Sequence, residues 1–352
     1  MKKLVISSAL ALVAAPAMAD MHAKMPTFYG KLNKSVAYID QDATTHKSFS
    51  GVRDVANSES RLGAKGNVDF DSLKFTYALE LGINSTQQSS DSGRIRIRQS
   101  HIGTETAFGT LVFGQTYTPS ANIAVSIDPF VSTIFGVANA DQKALVSGAA
   151  GSGLGMEYRS RKDLLMYKTP KFMGLQYIVS TDKNDKPSID STPSNTEYGK
   201  ETLEHLLTFN HKMGDNALLV FASMIKNNDV DTKDDETMMY GLKFDLGKMM
   251  SLTATMGSSE STAAGTTTKT EEDRMMVAAK YNMNAHSFMA KYSTYEKKED
   301  RDITQIALGY NYAYNKHVSM RASVGQYNVD YKAASTTDND STIVAFGTQL
   351  KF

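Results

Sequence analysis

From Thr27 to Phe352 the chain repeats one pattern: a run of about ten residues with every second side chain apolar, then a connector. In Leu73–Gly82 the residues Leu73, Phe75, Tyr77, Leu79 and Leu81 alternate with Lys74, Thr76, Ala78, Glu80 and Gly82. Successive side chains of a strand point to opposite faces, so each run has an apolar face and a more polar one. The final run does the same, with Thr342, Val344, Phe346, Thr348, Leu350 and Phe352 on one side and Ile343, Ala345, Gly347, Gln349 and Lys351 on the other. The connectors alternate as well. Asp71-Ser72, Ala107–Gly109, Thr169–Met173, Lys212–Asp215, Gly247–Lys248, Met283-Asn284 and Tyr314–Lys316 are short. Asp40–Glu59, Ile83–Gly93, Thr118–Leu154, Asp182–Lys200, Asn227–Asp235, Glu260–Glu272, Lys297–Arg301 and Tyr327–Asp340 are longer and polar. Short turns at one edge and long loops at the other characterise a membrane-spanning barrel; a soluble sandwich or propeller has no reason for them. The expected fold is all-β: a 16-stranded antiparallel transmembrane β-barrel with short periplasmic turns and long extracellular loops. One expected strand is Gly155–Tyr167.

The first residues read as a processing signal. Lys2 and Lys3 precede the apolar run Leu4–Ala15, and Ala17-Met18-Ala19 has the small-x-small form of a cleavage site. Residues 1–19 are therefore expected to be a signal peptide cleaved after Ala19, and 20–352 a single barrel domain. There is no cysteine, so stability must come from backbone pairing and burial rather than disulfides. Removing Lys2 and Lys3 takes 38 basic residues to 36 against 38 acidic, a net charge of −2, which gives no basic footprint for nucleic acid. After Ala19 no apolar run is long enough for a membrane helix, and mean hydropathy is −0.34. A barrel remains, because its lumen residues dilute the apolar signal to alternate positions.

Three segments carry a resemblance. Ser60-Arg61-Leu62-Gly63-Ala64-Lys65-Gly66 precedes a strand ending Ala78-Leu79-Glu80. Arg98-Gln99-Ser100-His101-Ile102-Gly103 precedes Phe108-Gly109-Thr110-Leu111-Val112-Phe113-Gly114, and Tyr167-Lys168-Thr169-Pro170-Lys171-Phe172-Met173-Gly174 follows. These resemble the S-R-x-G-x-K-G, R-x-x-x-x-G…F-G-x-x-x-x-G and Y-x-S-P-x-F-x-G segments of the general porins of Gram-negative outer membranes. The resemblance implies an outer-membrane channel for passive diffusion of small hydrophilic solutes and ions, with no cofactor. It also implies a homotrimer, contact with membrane lipid and lipopolysaccharide, recognition of Phe352 by the barrel-assembly machinery, and a third loop (118–154) folded into the lumen. The family often carries Arg after the glycine that is Gly114 here; this chain has Gln115, which leaves inherited ion selectivity open.

In such a channel, opposed rows of charged side chains at a narrow point set which solutes pass. If Leu62, Ala64, Val68 and Phe70 face lipid, Arg61 and Lys65 face the lumen. If Ile95 and Ile97 face lipid, then Arg94, Arg96 and Arg98 face inward; an arginine on the lipid face would cost about 2–4 kcal/mol near the midplane. By resemblance Lys31 joins the basic wall. Arg321 and Lys280 point inward by alternation, whereas the phase of Arg159, Arg161 and Lys162 stays open. The long loop holds two acids, Asp128 and Asp141, as the candidate acidic face, each of which could instead cap a short helix. The pore-constriction set is thus Lys31, Arg61, Lys65, Arg96, Arg98, Asp128 and Asp141.

The competing readings are weaker. A substrate-selective porin would show a row of loop aromatics, and the loop has only Phe130 and Phe135. A rim-site hydrolase needs a histidine paired with a nucleophile; the seven histidines are scattered, with no H-E-x-x-H and no G-x-S-x-G. An adhesin is the remaining alternative. Asp229-x-Asp231 opens like a calcium loop, but Lys233 takes the next ligand place, so no metal is expected.

Overall fold

The computed structural model describes residues 22–23, 25–41, 48–54, 60–70, 73–83, 95–137, 154–156, 160–183, 201–228, 233–262, 269–332 and 339–352. In order these form β1 (His22–Ala23), β2 (Thr27–Gln41), β3 (Phe49–Asp54), β4 (Ser60–Phe70), β5 (Leu73–Ile83), β6 (Ile95–Thr106) and β7 (Gly109–Tyr117). Helix α1 (Pro119–Ile127) follows, then β8 (Arg161–Lys168), β9 (Leu175–Lys183), β10 (Glu201–Met213), β11 (Asn216–Asn228) and β12 (Lys233–Leu246). The chain ends with β13 (Met250–Thr262), β14 (Lys269–Met283), β15 (His286–Lys297), β16 (Arg301–Ala313), β17 (Val318–Tyr331) and β18 (Asn339–Lys351).

Neighbouring strands pair antiparallel in chain order, and the ring closes between β18 and β2, from Ser341↔Gln41 to Lys351↔Lys31. Phe352 adds one more pair: its carbonyl accepts from the Gly30 N–H at 2.8 Å and its N–H donates to the Gly30 carbonyl at 3.1 Å. The first two staves are each made of two pieces. β1 pairs with β4 at Val68 and Asp69, below β2. β3 pairs with β2 over Lys34–Ile39, and β4 takes over at Thr27–Lys31. With β5 to β18 this makes a closed sixteen-strand antiparallel barrel. Closure pairs the backbone polar groups without leaving an open sheet edge in hydrocarbon.

Alternation sorts the side chains as the pattern requires. In β18, Thr342, Val344, Phe346, Thr348 and Leu350 are exposed outside, while Ile343, Ala345 and Gln349 are buried inside. Leu62, Leu79, Leu111, Phe113, Leu165, Ile306 and Leu308 continue the exposed apolar belt. Phe28, Phe108, Phe172, Tyr314 and Phe352 are exposed rings at the short-turn edge, where aromatic side chains suit the membrane–water interface.

Three details differ from the sequence reading. Phe49–Asp54, expected inside the long connector Asp40–Glu59, is strand β3, because the upper edge of β2 needs backbone partners. The strand expected from Gly155 begins at Arg161, and Leu154, Gly155 and Met156 lie inside the barrel. Some long connectors are shorter than expected. β11 and β12 stay paired to Asn227↔Asp235, past the apolar belt, where polar side chains on both faces hide the alternation.

Candidate functional site

Helix α1 leads from the end of β7 into the barrel. Thr118 caps it by accepting a hydrogen bond from the Ala121 N–H at 3.3 Å, and Pro119 occupies the first turn, where its missing N–H costs nothing. The first turn carries no acid of its own. The barrel supplies one: the buried carboxylate of Glu204 on β10 accepts from the Ser120 N–H, at the positive end of the helix.

The chain beyond α1 turns around Asp128. Its Oδ1 accepts from the Phe130 N–H at 2.9 Å and its Oδ2 from the Val137 N–H at 2.6 Å. The Nζ of Lys291 on β15 lies 3.6 Å from Oδ2, and both side chains are fully buried. Lys291 also donates to the Phe135 carbonyl. Three further wall donors reach loop carbonyls: Thr253 to Ile127 at 3.0 Å, Thr255 to Gly155 at 2.8 Å and Arg321 to Ser132 at 2.8 Å. These bonds give partners to loop carbonyls that lie outside any strand ladder.

Two apolar seams hold the same loop. Ala121, Ala124, Ile127, Val137 and Met156 pack with Leu206, Phe221, Ile225, Met239 and Met276. Phe130, Ile134, Phe135 and Leu154 pack with Ala37, Ile39, Met289, Tyr295, Ile303, Tyr327 and Ile343. Wall glycines make room for the rings: a Cβ on Gly309 would lie 2.9 Å from Phe130 and one on Gly325 would lie 2.6 Å from Phe135. Phe135 stacks on Tyr327 with centroids 6.0 Å apart. Among the described residues, neither seam includes a side chain of β4, β5, β6 or β8.

That other wall is basic. Glu80 on β5 accepts from Arg98 Nε at 2.7 Å, from the Tyr29 hydroxyl at 3.0 Å and from Arg61 Nη1 at 3.3 Å. Arg98 Nη2 donates to the Tyr117 hydroxyl at 2.9 Å, and Arg161 Nη1 donates to the same oxygen at 3.1 Å. Lys31 pairs in register with Arg61, and Lys65 lies over the Tyr29 ring, 5.5 Å from its centroid. Among the described residues, Glu80 is thus the carboxylate that gathers these cations. A β-bulge positions it: Glu80 pairs with Gln99 but Leu81 pairs with Ile97, so Arg98 is the extra residue.

The expected residues therefore separate. Lys31, Arg61, Lys65 and Arg98 come together on one wall, and Arg161 joins them. Arg98 is fully buried and ties Glu80 to Tyr117, with no exposed surface. Arg96 is exposed further along β6, opposite Gly82. Asp128 is buried within the loop and presents no open carboxylate. Asp141, Arg94 and Arg159 lie outside the described residues. Gln115, in place of the expected arginine, donates to the Ile97 carbonyl at 3.0 Å and ties β7 to β6 beyond their last paired residues. Glu80, Glu204 and Lys291 were not among the candidate site residues read from the sequence. Their inward phase was available, since Glu80 alternates with Leu79 and Leu81, but which inward charges meet depends on cross-strand register.

Beneath the loop, on the short-turn side, lies a space of about 540 Å³. Asp128 and the end of α1 border it above, and Lys243, Lys280, Arg321 and Lys351 stand around it. The barrel thus encloses a charged space bordered by the described part of a loop packed against one wall.

The pattern of a family described as Gram-negative porin matches residues 7–332. This chain belongs to that family. It is similar in fold to an anion-selective porin from Comamonas acidovorans, with a TM-score of 0.73, 19% identity and coverage of 95% of this chain and 100% of that one. The outer membrane channel DcaP of Acinetobacter baumannii aligns at 0.66, with 15% identity over 96% of this chain and 99% of that one. OmpF of Salmonella typhi, in complex with daunomycin, aligns at 0.63, with 12% identity over 94% and 100%. No curated protein matches the chain in sequence. The porin is an outer-membrane channel for passive diffusion of solutes.

Proposed function

We propose that solutes pass between the basic wall of β2, β4, β5 and β6 and the face of the fixed loop, and that this gap is the constriction. The observation that carries the reading is the asymmetry of the interior. One wall gathers Lys31, Arg61 and Arg98 around Glu80, while the loop is sealed to the opposite wall by the apolar seams. Lys65 and Arg96 extend the basic wall toward the short-turn and long-loop ends. Asp141 is the remaining candidate for an opposing acid.

The porin works as a homotrimer in outer-membrane lipid and lipopolysaccharide. Its leader is removed after Ala19, and Phe352, paired into the ring at Gly30, is the handle for barrel assembly. A solved trimer of OmpT from Vibrio cholerae, similar in fold with a TM-score of 0.63, supports the trimer. The porin is a channel and carries no catalytic site. In support, the rim histidines are engaged by rings: the His205 Nδ1 meets the Tyr177 hydroxyl at 2.5 Å, and His211 stacks on Phe209. Phe130 and Phe135, the aromatics a substrate-selective loop would offer to a solute, are fully buried.

The test is conductance of the refolded protein in a planar lipid bilayer under a salt gradient. Stepwise openings in threes are expected. Folded, inserted protein with no conductance would overturn the channel reading.

A further inference from the structure

The space beneath the loop is lopsided in charge. Lys243, Lys280, Lys316, Arg321 and Lys351 line it, and Asp128 is the one acid among its lining residues. That carboxylate is already turned to Lys291 and to two backbone N–H groups. Lys243 has a partner, Asp245, at 3.1 Å. Arg321 bonds, among the described residues, neutral acceptors, the Ser132 carbonyl and the side chains of Asn33, Asn311 and Ser319. Among the described residues, Lys280, Lys316 and Lys351 have no carboxylate within salt-bridge distance. Four cations thus face one space with, among the described residues, no carboxylate in ion-pair contact with them, since Asp245, the acid near Lys280, is taken up by Lys243 and Ser251. Strands β14 and β17, the end of β18 and the turn before β17 deliver them from one arc of the barrel. A structural surface lysine normally has water on all sides or a carboxylate beside it; a converging set around a concave space raises the local concentration of counter-ions.

We propose that this vestibule is a binding site for small doubly charged anions, of the chemistry of hydrogen phosphate or a short dicarboxylate, which it collects on the short-turn side of the constriction. The site rests on the channel reading and adds a ligand class and a place to it. An ion held there couples most strongly to the lysines, which carry flexible point charges, while Arg321 is fixed to the loop. At a separation of about 6 Å in 0.1 M salt, one lysine favours a dianion roughly three- to fourfold in water, and a monoanion by about the square root of that.

The experiment is block of chloride current through the refolded porin in planar bilayers at pH 8, titrated with phosphate, succinate and acetate. Phosphate and succinate are expected to reduce the current at lower concentration than acetate. Each of Lys280→Gln, Lys316→Gln and Lys351→Gln raises the half-blocking phosphate concentration roughly three- to fourfold, and Lys280→Arg leaves it near wild type. Each single variant is read alone, and the wild-type titration decides even if one variant fails to insert. Equal potency of acetate and succinate, or lysine variants that titrate like wild type, would overturn the site while leaving the channel intact. A wild type that folds and inserts without conducting would overturn the channel itself.

Discussion

Replacing Asp128 with alanine tests how the loop is held. The side chain accepts two loop N–H bonds and faces Lys291, with neither partner exposed. Its removal leaves a buried ammonium beside the Phe130 ring and two unsatisfied amides. Removing one partner of a buried ion pair costs about 3–5 kcal/mol, and each stranded amide about 1–3 kcal/mol. The barrel has no reason to bear that cost, because its strand ladders do not involve Asp128. Lifting the loop rehydrates Lys291 and both amides, so the loss falls on docking of the loop. A loss of about 3 kcal/mol lowers the docked-to-released ratio on the order of a hundredfold. Single-channel recording should show a larger and noisier conductance, with the urea midpoint of the barrel close to wild type. The double variant Asp128→Ala/Lys291→Met removes the stranded charge and should recover part of the quiet state, since an apolar pair can replace a buried ion pair at little cost. Asp128→Ala channels with wild-type conductance and noise would refute this account of the loop.

Three further substitutions probe other parts of the design. Glu80→Gln removes the carboxylate shared by Arg61 and Arg98, so the reversal potential in a salt gradient should move toward anions; an unchanged potential would mean the cluster lies off the ion path. Gly30→Ala places a Cβ 2.3 Å from the Phe352 ring, and the displaced ring should lower barrel stability by about 1–3 kcal/mol in urea titrations; equal midpoints would show that the ring is not needed for closure. Leu308→Arg, on the exposed belt, should cost about 2–4 kcal/mol in lipid vesicles, and a cost near zero would put that face outside the hydrocarbon.

The barrel was legible because its physics is local. Period-two alternation, connector lengths and the amphipathic run Ser341–Phe352 each report one strand at a time, and closure follows from their sum. The basic wall was partly legible by the same rule: Arg61 and Arg98 were placed inward from the phase of Leu62 and Ile97. Their bonding was not. Arg98 reaches Glu80 through a bulge that leaves no mark on the sequence, and Tyr117 joins them from the end of another strand. Asp128 could be named but not oriented. Its partner Lys291 is far along the chain, and nothing local distinguishes a carboxylate facing water from one folded under its own loop.

The loop's position left a trace where the alternating pattern weakens. A strand between lipid and open water needs only one apolar face. In Leu218-Leu219-Val220-Phe221 of β11 both faces are apolar, and Leu219 and Phe221 turn inward against the loop seam. Ile303 and Ala307 on β16 do the same against Phe130 and Phe135, while Ile306 and Leu308 face out. Two adjacent methionine pairs, Met238-Met239 and Met275-Met276, follow this division. Met239 and Met276 are buried under the loop, and their neighbours Met238 and Met275 are turned outward. A flexible thioether suits an inner surface that must fit an irregular loop rather than a regular partner strand. Inward apolar positions in a membrane barrel are unfavourable in an open pore, so their occurrence on β10 to β18 and on β2 at Ala37 and Ile39, against their scarcity on β4 to β6, marks the wall that the loop covers; Val112, Leu164 and Met166 form a separate inward cluster on β7 and β8. By this reasoning Phe221→Ser, which makes an inward seam position polar, should loosen the loop and raise channel noise as Asp128→Ala does. Phe221→Leu, which keeps the seam apolar, should stay quiet, and equal noise in the two variants would show that the inner apolar face serves the barrel rather than the loop.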